Sequence, residues 1–351
     1  MNPKSIVNLF SVLVLFFSFS YVFPIIVSII FKDGALDIFI KTFLTVSSLG
    51  VLGLLATRNI KNELSQKDGF VIIVMFWLIL SIAGSVPFYL SGMSVMDSFF
   101  ESMSGITTTG ATVISQIDAL PESILFYRQL LQWMGGMGLI VLAIAVMPLL
   151  GIGGGQIYKT EIPGAMGEQR LTPRIKETAQ ALWLIYLGLT IACSLLYFLG
   201  GMSIFDAIAH SMSTVAIGGF STHNESIGYF NSNFIEIVCI FFMLLSAISF
   251  TLHYFSFYKR KPLKYFYDPE LKFFISVLLL IFFFAILISR LNSAENPPNI
   301  LEIAFHSVSM VTTTGFSVAE TNNWPMSLSF LLLVGAFIGS CSGSVGGGVK
   351  S

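Results

Sequence analysis

The sequence predicts an all-α integral membrane protein, built of repeated helix–short helix–loop–helix units behind an extra N-terminal helix pair. Three observations carry this. Of 351 residues, 55% are hydrophobic and only 11% charged, with a mean hydropathy of +0.83; a soluble domain carries about 25% charged residues. Apolar runs of about 20 residues, long enough to cross the hydrocarbon core, recur along the chain. Between them, one polar-capped pattern occurs three times in register. This composition excludes a disordered chain and an ordinary soluble enzyme. The net charge of −1 offers no field that would draw nucleic acid. Cys193, Cys239 and Cys341 are scattered through apolar or Gly-rich sequence, so neither a disulfide framework nor a CxxC metal site is expected.

The elements follow in order. Residues 1–66 hold two spans, 6–31 with a bend at Pro24 and 37–57. Residues 67–160 form a first unit with spans 70–92 and 123–150, and residues 161–262 a second with spans 179–200 and 234–258. Residues 263–351 form an incomplete third, with a span at 272–289 and another that begins near 325. Lys and Arg set the orientation, because cytoplasmic loops carry the excess. With the N-terminus inside, thirteen basic residues fall on inner segments, including Lys159, Arg170, Arg174, Lys176, Lys259, Arg260, Lys261, Lys264 and Lys272. Only Lys32, Lys41, Arg128 and Arg290 fall on or near the outer side. Acids such as Asp33, Asp118, Glu122 and Glu225 then lie outside, read either as cation-concentrating charge or as ordinary solvated loops.

The repeated pattern is Ser94–Thr112, Ser203–Ser221 and Asn299–Ser317, registered on Gly110, Gly219 and Gly315. Sixteen residues before each glycine stands a good N-cap residue, Ser94, Ser203 or Asn299. Three residues after the cap stands Asp97, Asp206 or Glu302, at capping-box spacing and favoured by the helix dipole. Serines recur eight and six residues before the glycine: Ser102 and Ser104, Ser211 and Ser213, Ser307 and Ser309. Each copy therefore begins a helix of about 13 residues, roughly 20 Å at 1.5 Å per residue, too short to cross. It hands over to non-helical backbone at 107–112, 216–221 and 312–317. Such backbone is tolerated at membrane depth only where it is buried in protein or lines a water-filled cavity. Each short helix starts outside and aims its negative C-terminal end at the membrane centre, which favours a cation.

The loop chemistry agrees. Glycine supplies backbone freedom, including φ > 0, that a side chain forbids. Thr108 and Thr109, and Thr313 and Thr314, add hydroxyls, whereas Ile217 and Gly218 hold those columns in the second copy. The backbone carbonyls, present in every copy, are therefore the expected ligands. Hard oxygens without carboxylates suit a monovalent cation better than Mg²⁺ or Ca²⁺.

The loops TTTGAT, AIGGFST and TTTGFS resemble the selectivity-filter loops of the TrkH/KtrB superfamily of potassium transporters. So do Arg128–Gly164 (RQLLQWMGGMGLIVLAIAVMPLLGIGGGQIYKTEIPG) and Gly339–Lys350 (GSCSGSVGGGVK). The likeness covers essentially the whole chain, and the N-terminal helix pair is of the TrkH type. It implies a potassium-channel-like pore that takes up potassium across the bacterial plasma membrane. The implied K⁺ filter comprises Thr108, Thr109, Gly110, Ile217, Gly218, Gly219, Thr313, Thr314 and Gly315, with no cofactor. It implies a gate at Gly343, Gly346, Gly347, Gly348 and Lys350, a homodimer, and a cytosolic TrkA-like nucleotide-binding regulatory subunit. Full members have four such units. Here the fourth loop, the final helix and its basic residue are absent, so the chain is expected to be C-terminally truncated and the function that of the complete protein.

Alternatives stay open at several positions. The Gly-rich run reads as an intramembrane loop or as a close-packed helix interface, and Lys350 as a gate element or a snorkelling side chain. His210 and His306 share the column of Glu101 and are expected to pack or hydrogen-bond within their repeats. Gly151–Gly155 lacks a Walker Lys-Ser/Thr. Rival transport readings are a sodium-permeable relative, against which Gly110 argues, and the ion-translocating subunit of a P-type potassium pump. An intramembrane enzyme would need a convergent Ser-His, Asp pair or HExxH, and none is visible.

Overall fold

The computed structural model describes residues 3–58, 66–138, 175–257, 263–291, 297–321 and 324–349. Gly151–Gly155, Lys159, Arg170, Arg174, Lys259–Lys261, Lys350 and the second half of the expected 123–150 span lie outside them. Every regular element among the described residues is helical. These residues form two compact units that divide inside one long helix, between Gln180 and Ala181.

In the first unit, α1 (Pro3–Ser18), a 3₁₀ turn (Phe19–Tyr21) and α2 (Val22–Phe31) make one long apolar element. Pro24 lacks the N–H that would reach the Ser20 carbonyl, and the chain tightens just there. α3 (Leu36–Ala56) returns beside it, and α4 (Gln66–Leu90) opens the first repeat. Pro87 in α4 likewise leaves the Ala83 carbonyl without its helical donor. The Tyr21 hydroxyl fills the gap at 2.7 Å, and Tyr127 donates to the neighbouring Gly84 carbonyl at 2.9 Å. In a membrane interior such a carbonyl must find an internal partner. The N-terminal pair is thereby pinned to the repeat, with Phe39 and Phe88 packed edge-on or tilted against Tyr127.

The short α5 (Val95–Ile106) follows, then α6 (Glu122–Trp133), whose residues 123–132 are all buried. A π-helical turn, Met134–Gly138, continues α6 and kinks at Gly136. A Cβ on Gly135 would fall 1.8 Å from the Ile106 carbonyl, so only glycine lets this turn lie against the end of α5. Asp33, expected among the solvated outer acids, instead accepts from the Ser123 N–H at 2.8 Å and caps the N-terminus of α6.

α7 (Ile175–Leu199) leads to α8 (Ile204–Val215), α9 (Asn233–Ala247) and α10 (Phe250–Phe257) in the second unit. The expected single span at 234–258 is corrected here. α9 and α10 meet at 95°, broken at an extended Ile248. The break satisfies its polar groups elsewhere: Cys341 N–H donates to the Ala247 carbonyl, and Phe250 N–H to the Gly343 carbonyl, both at 3.1 Å. The turn α11 (Lys264–Tyr267) precedes α12 (Pro269–Leu291), the short α13 (Ile300–Val311) and α14 (Met326–Ile338). α14 ends where five glycines crowd ten residues, with Gly339 at φ +76°. The chain from Gly339 to Val349 is non-helical, so of the two readings it is a loop and not a close-packed helix interface.

Among the described residues, four helices are apolar and long enough to cross a membrane, and the bent α9–α10 pair makes a fifth candidate; α5, α8 and α13 fall short.

Candidate functional site

The three short helices begin as their sequences require. Asp97 and Asp206 N–H donate to the Ser94 and Ser203 hydroxyls at 3.1 and 3.0 Å, and Glu302 N–H to Asn299 Oδ1 at 2.8 Å. The reciprocal arm, acid to cap N–H, forms only at Glu302, at 3.0 Å. Aspartate is one methylene shorter, and in the other two copies it accepts from the cap hydroxyl instead, at 2.7 Å. The carboxylates are thus used as caps.

The helices also end alike. Thr109, Gly218 and Thr314 N–H reach back to the Ser104, Ser213 and Ser309 carbonyls at 2.9, 2.9 and 2.8 Å. Thr108, Ile217 and Thr313 N–H reach the carbonyls three residues before them at 3.0, 3.1 and 3.0 Å. This pairing is a Schellman cap, which requires a left-handed residue directly after the helix. Glycine usually takes that place, but here it is held by β-branched residues: Thr108 at φ +55°, Ile217 at +54° and Thr313 at +67°. Each costs on the order of 1–3 kcal/mol, a strain that persists only where the surroundings dictate it. Two residues on, Gly110, Gly219 and Gly315 have φ of +78°, +78° and +83°. Each loop thus alternates left-handed and ordinary backbone on leaving the negative end of its helix. The sequence signals only the second of these positions, because nothing about Thr or Ile advertises φ > 0.

Hydroxyls brace the loops internally. Ser104 donates to the Ala111 carbonyl at 2.5 Å and Ser309 to the equivalent Phe316 carbonyl at 2.7 Å. Thr109 and Thr314 pair with Thr107 and Thr312 at 2.8 and 2.7 Å. In the second unit the Gly219 and Gly315 loops touch: a Cβ on Gly219 would fall 2.0 Å from the Thr314 carbonyl oxygen. Around Gly315 a Cβ would meet nothing within 4 Å, so its backbone angle alone demands glycine.

One column of the three short helices is held by Glu101, His210 and His306, and in the first two repeats it bonds to the chain just after the glycine. In the first unit Glu101 accepts from the Thr112 hydroxyl at 2.9 Å and from Val113 N–H at 3.3 Å. It also binds Arg128 Nε at 2.7 Å, with both side chains wholly buried. Arg128, expected near the outer surface, is therefore half of an internal ion pair. The signal was available: an Arg inside a long apolar run is paired or functional by default. His210 holds the column in the second repeat. Its Nδ1 faces the Asp206 carbonyl at 3.0 Å and so carries the proton, which leaves Nε2 to accept from Ser221 at 2.9 Å. His306 likewise donates to the Glu302 carbonyl, at 2.9 Å, and packs on Trp324. Both histidines serve packing and hydrogen bonding within their repeats.

The Gly-rich segment lies directly against the third loop. Gly347 N–H donates to Thr313 Oγ1 at 2.8 Å, and a Cβ on Gly346 would fall 3.0 Å from the Thr312 carbonyl. Gly343 supplies the carbonyl for Phe250, and Gly348 lies against Gly339, where a Cβ would fall 2.3 Å from its Cα. No group of three or more His, Cys, Asp or Glu suited to a metal ion occurs among the described residues.

A family of cation transport proteins, TrkH, matches residues 35–351. The Trk system potassium uptake protein TrkH of Halomonas elongata is 48% identical over this whole chain, which spans 73% of that relative. TrkH of Escherichia coli is 44% identical, again over the whole chain and 74% of the relative. The crystal structure of the potassium transporter TrkH from Vibrio parahaemolyticus superposes with a TM-score of 0.87 at 44% identity, covering all of this chain and 73% of that one. With three capped short helices, three glycine-centred loops and this extent of likeness, the chain is a multi-pass membrane protein that belongs to the TrkH family of cation transport proteins.

Proposed function

We propose that the protein takes up potassium across the bacterial plasma membrane through a pore whose filter is the set of loops around Gly110, Gly219 and Gly315. The observation that carries this is the identical cap-and-turn geometry of all three loops, kept at the expense of a strained β-branched residue in each. Backbone carbonyls of Thr108–Gly110, Ile217–Gly219 and Thr313–Gly315 replace the ion's water shell, and the negative helix ends of α5, α8 and α13 stabilise the dehydrated cation. The hydroxyls of Thr109 and Thr314 are engaged by neighbouring threonines, which supports main-chain oxygens as the ligands. Gly339–Val349 is the gate, held under the third loop through Gly347 and Thr313. The protein works as a homodimer with its N-terminus in the cytoplasm, and its cytoplasmic loops dock a TrkA-like nucleotide-binding ring.

Complementation tests the reading. In a bacterial strain without potassium uptake systems, the protein is expected to restore growth on low potassium and rubidium tracer uptake. Restored growth on limiting sodium without any potassium or rubidium flux would favour the sodium-permeable alternative.

A further inference from the structure

The proposed gate segment is tied to the rest of its unit at several backbone groups, and one of its partners differs in kind. Cys341, Gly343 and Gly347 bond to the Ala247 carbonyl, the Phe250 N–H and the Thr313 hydroxyl. Ser342 N–H donates instead to a carboxylate oxygen, Glu270 Oε1, in the first turn of α12. That turn is itself fixed, since Asp268 Oδ1 accepts from Leu271 N–H at 2.9 Å. A cavity of about 340 Å³ opens beside the bond and is lined by Ser249, Thr251, Lys264, Asp268, Glu270 and Ser342. Lys264 within it sits over the Phe255 ring, its Nζ 3.7 Å from the centroid. A hydrogen bond to a carboxylate is roughly twice as strong as a neutral one. Here it joins the cavity, directly and without an intermediary, to the backbone that would have to move.

We propose that Glu270 is a positioning residue that helps latch the Gly-rich segment in its seat against the Gly315 loop, so that breaking the Glu270–Ser342 bond loosens the segment. This rests on the reading of Gly339–Val349 as the gate. The carboxylate reaches a main-chain donor, so the latch is indifferent to the side chain at 342 and depends on the acceptor at 270. The cavity gives solvent access to that acceptor.

Two readouts separate the latch from the gate. Cys341 is buried, 1% exposed, next to the latched residue, and its modification by a maleimide reports on seating. Potassium flux into proteoliposomes reports on gating. Glu270→Ala is expected to raise the Cys341 modification rate and basal flux by roughly tenfold, the leverage of one charge-assisted hydrogen bond. Potassium-over-sodium preference is expected to stay unchanged. Glu270→Gln keeps an acceptor oxygen at the same reach but without its charge, and is expected to show a smaller rise than Glu270→Ala in both. If Glu270→Ala does not assemble, Glu270→Asp, a methylene short of Ser342, is expected to show the same two rises. Parental values of both readouts in the Ala or Asp variant would overturn the latch. Faster Cys341 modification with parental flux would keep the bond but overturn its role in gating. Equal rises in Glu270→Gln would show that packing rather than the acceptor oxygen is responsible.

Discussion

At the scale of the residue, the glycines of the proposed filter are not equivalent. Gly219 needs both its backbone angle and the absence of a side chain, because Thr314 O occupies the place of a Cβ. Gly315 needs only the angle. Gly219→Ser is therefore expected to displace the Thr314 carbonyl outright and to abolish potassium preference, while Gly315→Ser reduces it less. A change of about 1.4 kcal/mol between ions is already tenfold in equilibrium selectivity, so competitive rubidium and sodium flux resolves the order. The reverse order would place the close approach elsewhere. The buried pair Glu101–Arg128 supplies a second prediction. Arg128→Gln strands a carboxylate that also holds Thr112 and Val113, and is expected to cost about 3–5 kcal/mol of stability. The double variant Glu101→Gln, Arg128→Gln is expected to recover most of it, as thermal unfolding in detergent would register; an additive loss would mean the two charges are not coupled.

At the scale of the element, the caps were legible and the breaks only partly so. Ser94, Ser203 and Asn299 with an acid three residues on announce a helix start in sequence, and each starts there. Five glycines announce the end of α14. The 95° turn after Ala247 has no such announcement, because Ile248, Ser249 and Phe250 are neither glycine nor proline. What permits it is a pair of hydrogen bonds from a segment nearly a hundred residues away, and no local window contains that information. Asp33 was hidden for the same reason: its partner Ser123 lies on α6, ninety residues on. Partial burial raises the Asp33 pKa, but hydrogen bonds from Ser123, Ser28 and the Ala35 amide outweigh it and hold the carboxyl below its ordinary 3.8. A depressed folded value means stability that is full above the unfolded pKa and lost as pH falls through the folded one. The melting temperature is expected to fall below about pH 4, where carboxylates ordinarily take up protons, and to fall less steeply in Asp33→Asn. An identical slope in that variant would remove Asp33 from the account.

At the scale of the whole molecule, orientation rests on charge asymmetry and the function on repetition. Lys264 and Lys272, with the basic residues between Tyr258 and Pro262, are expected on the cytoplasmic side. A cysteine placed at Lys264 should react with an impermeant thiol reagent only in inside-out vesicles, and labelling from outside would invert the topology. Threefold repetition made the architecture readable from one chain, since a single Thr/Gly-rich turn would have read as an ordinary helix connection. Ion identity was less legible, for it depends on where main-chain oxygens point, and sequence encodes those only through the glycines. The most direct test is therefore a crystal structure of the protein grown in rubidium, read by anomalous scattering. Rubidium density is expected against the main-chain carbonyls of the Gly219 and Gly315 loops, displaced by potassium and not by sodium. Density confined to side-chain hydroxyls or outer carboxylates, with those carbonyls bare, would contradict it.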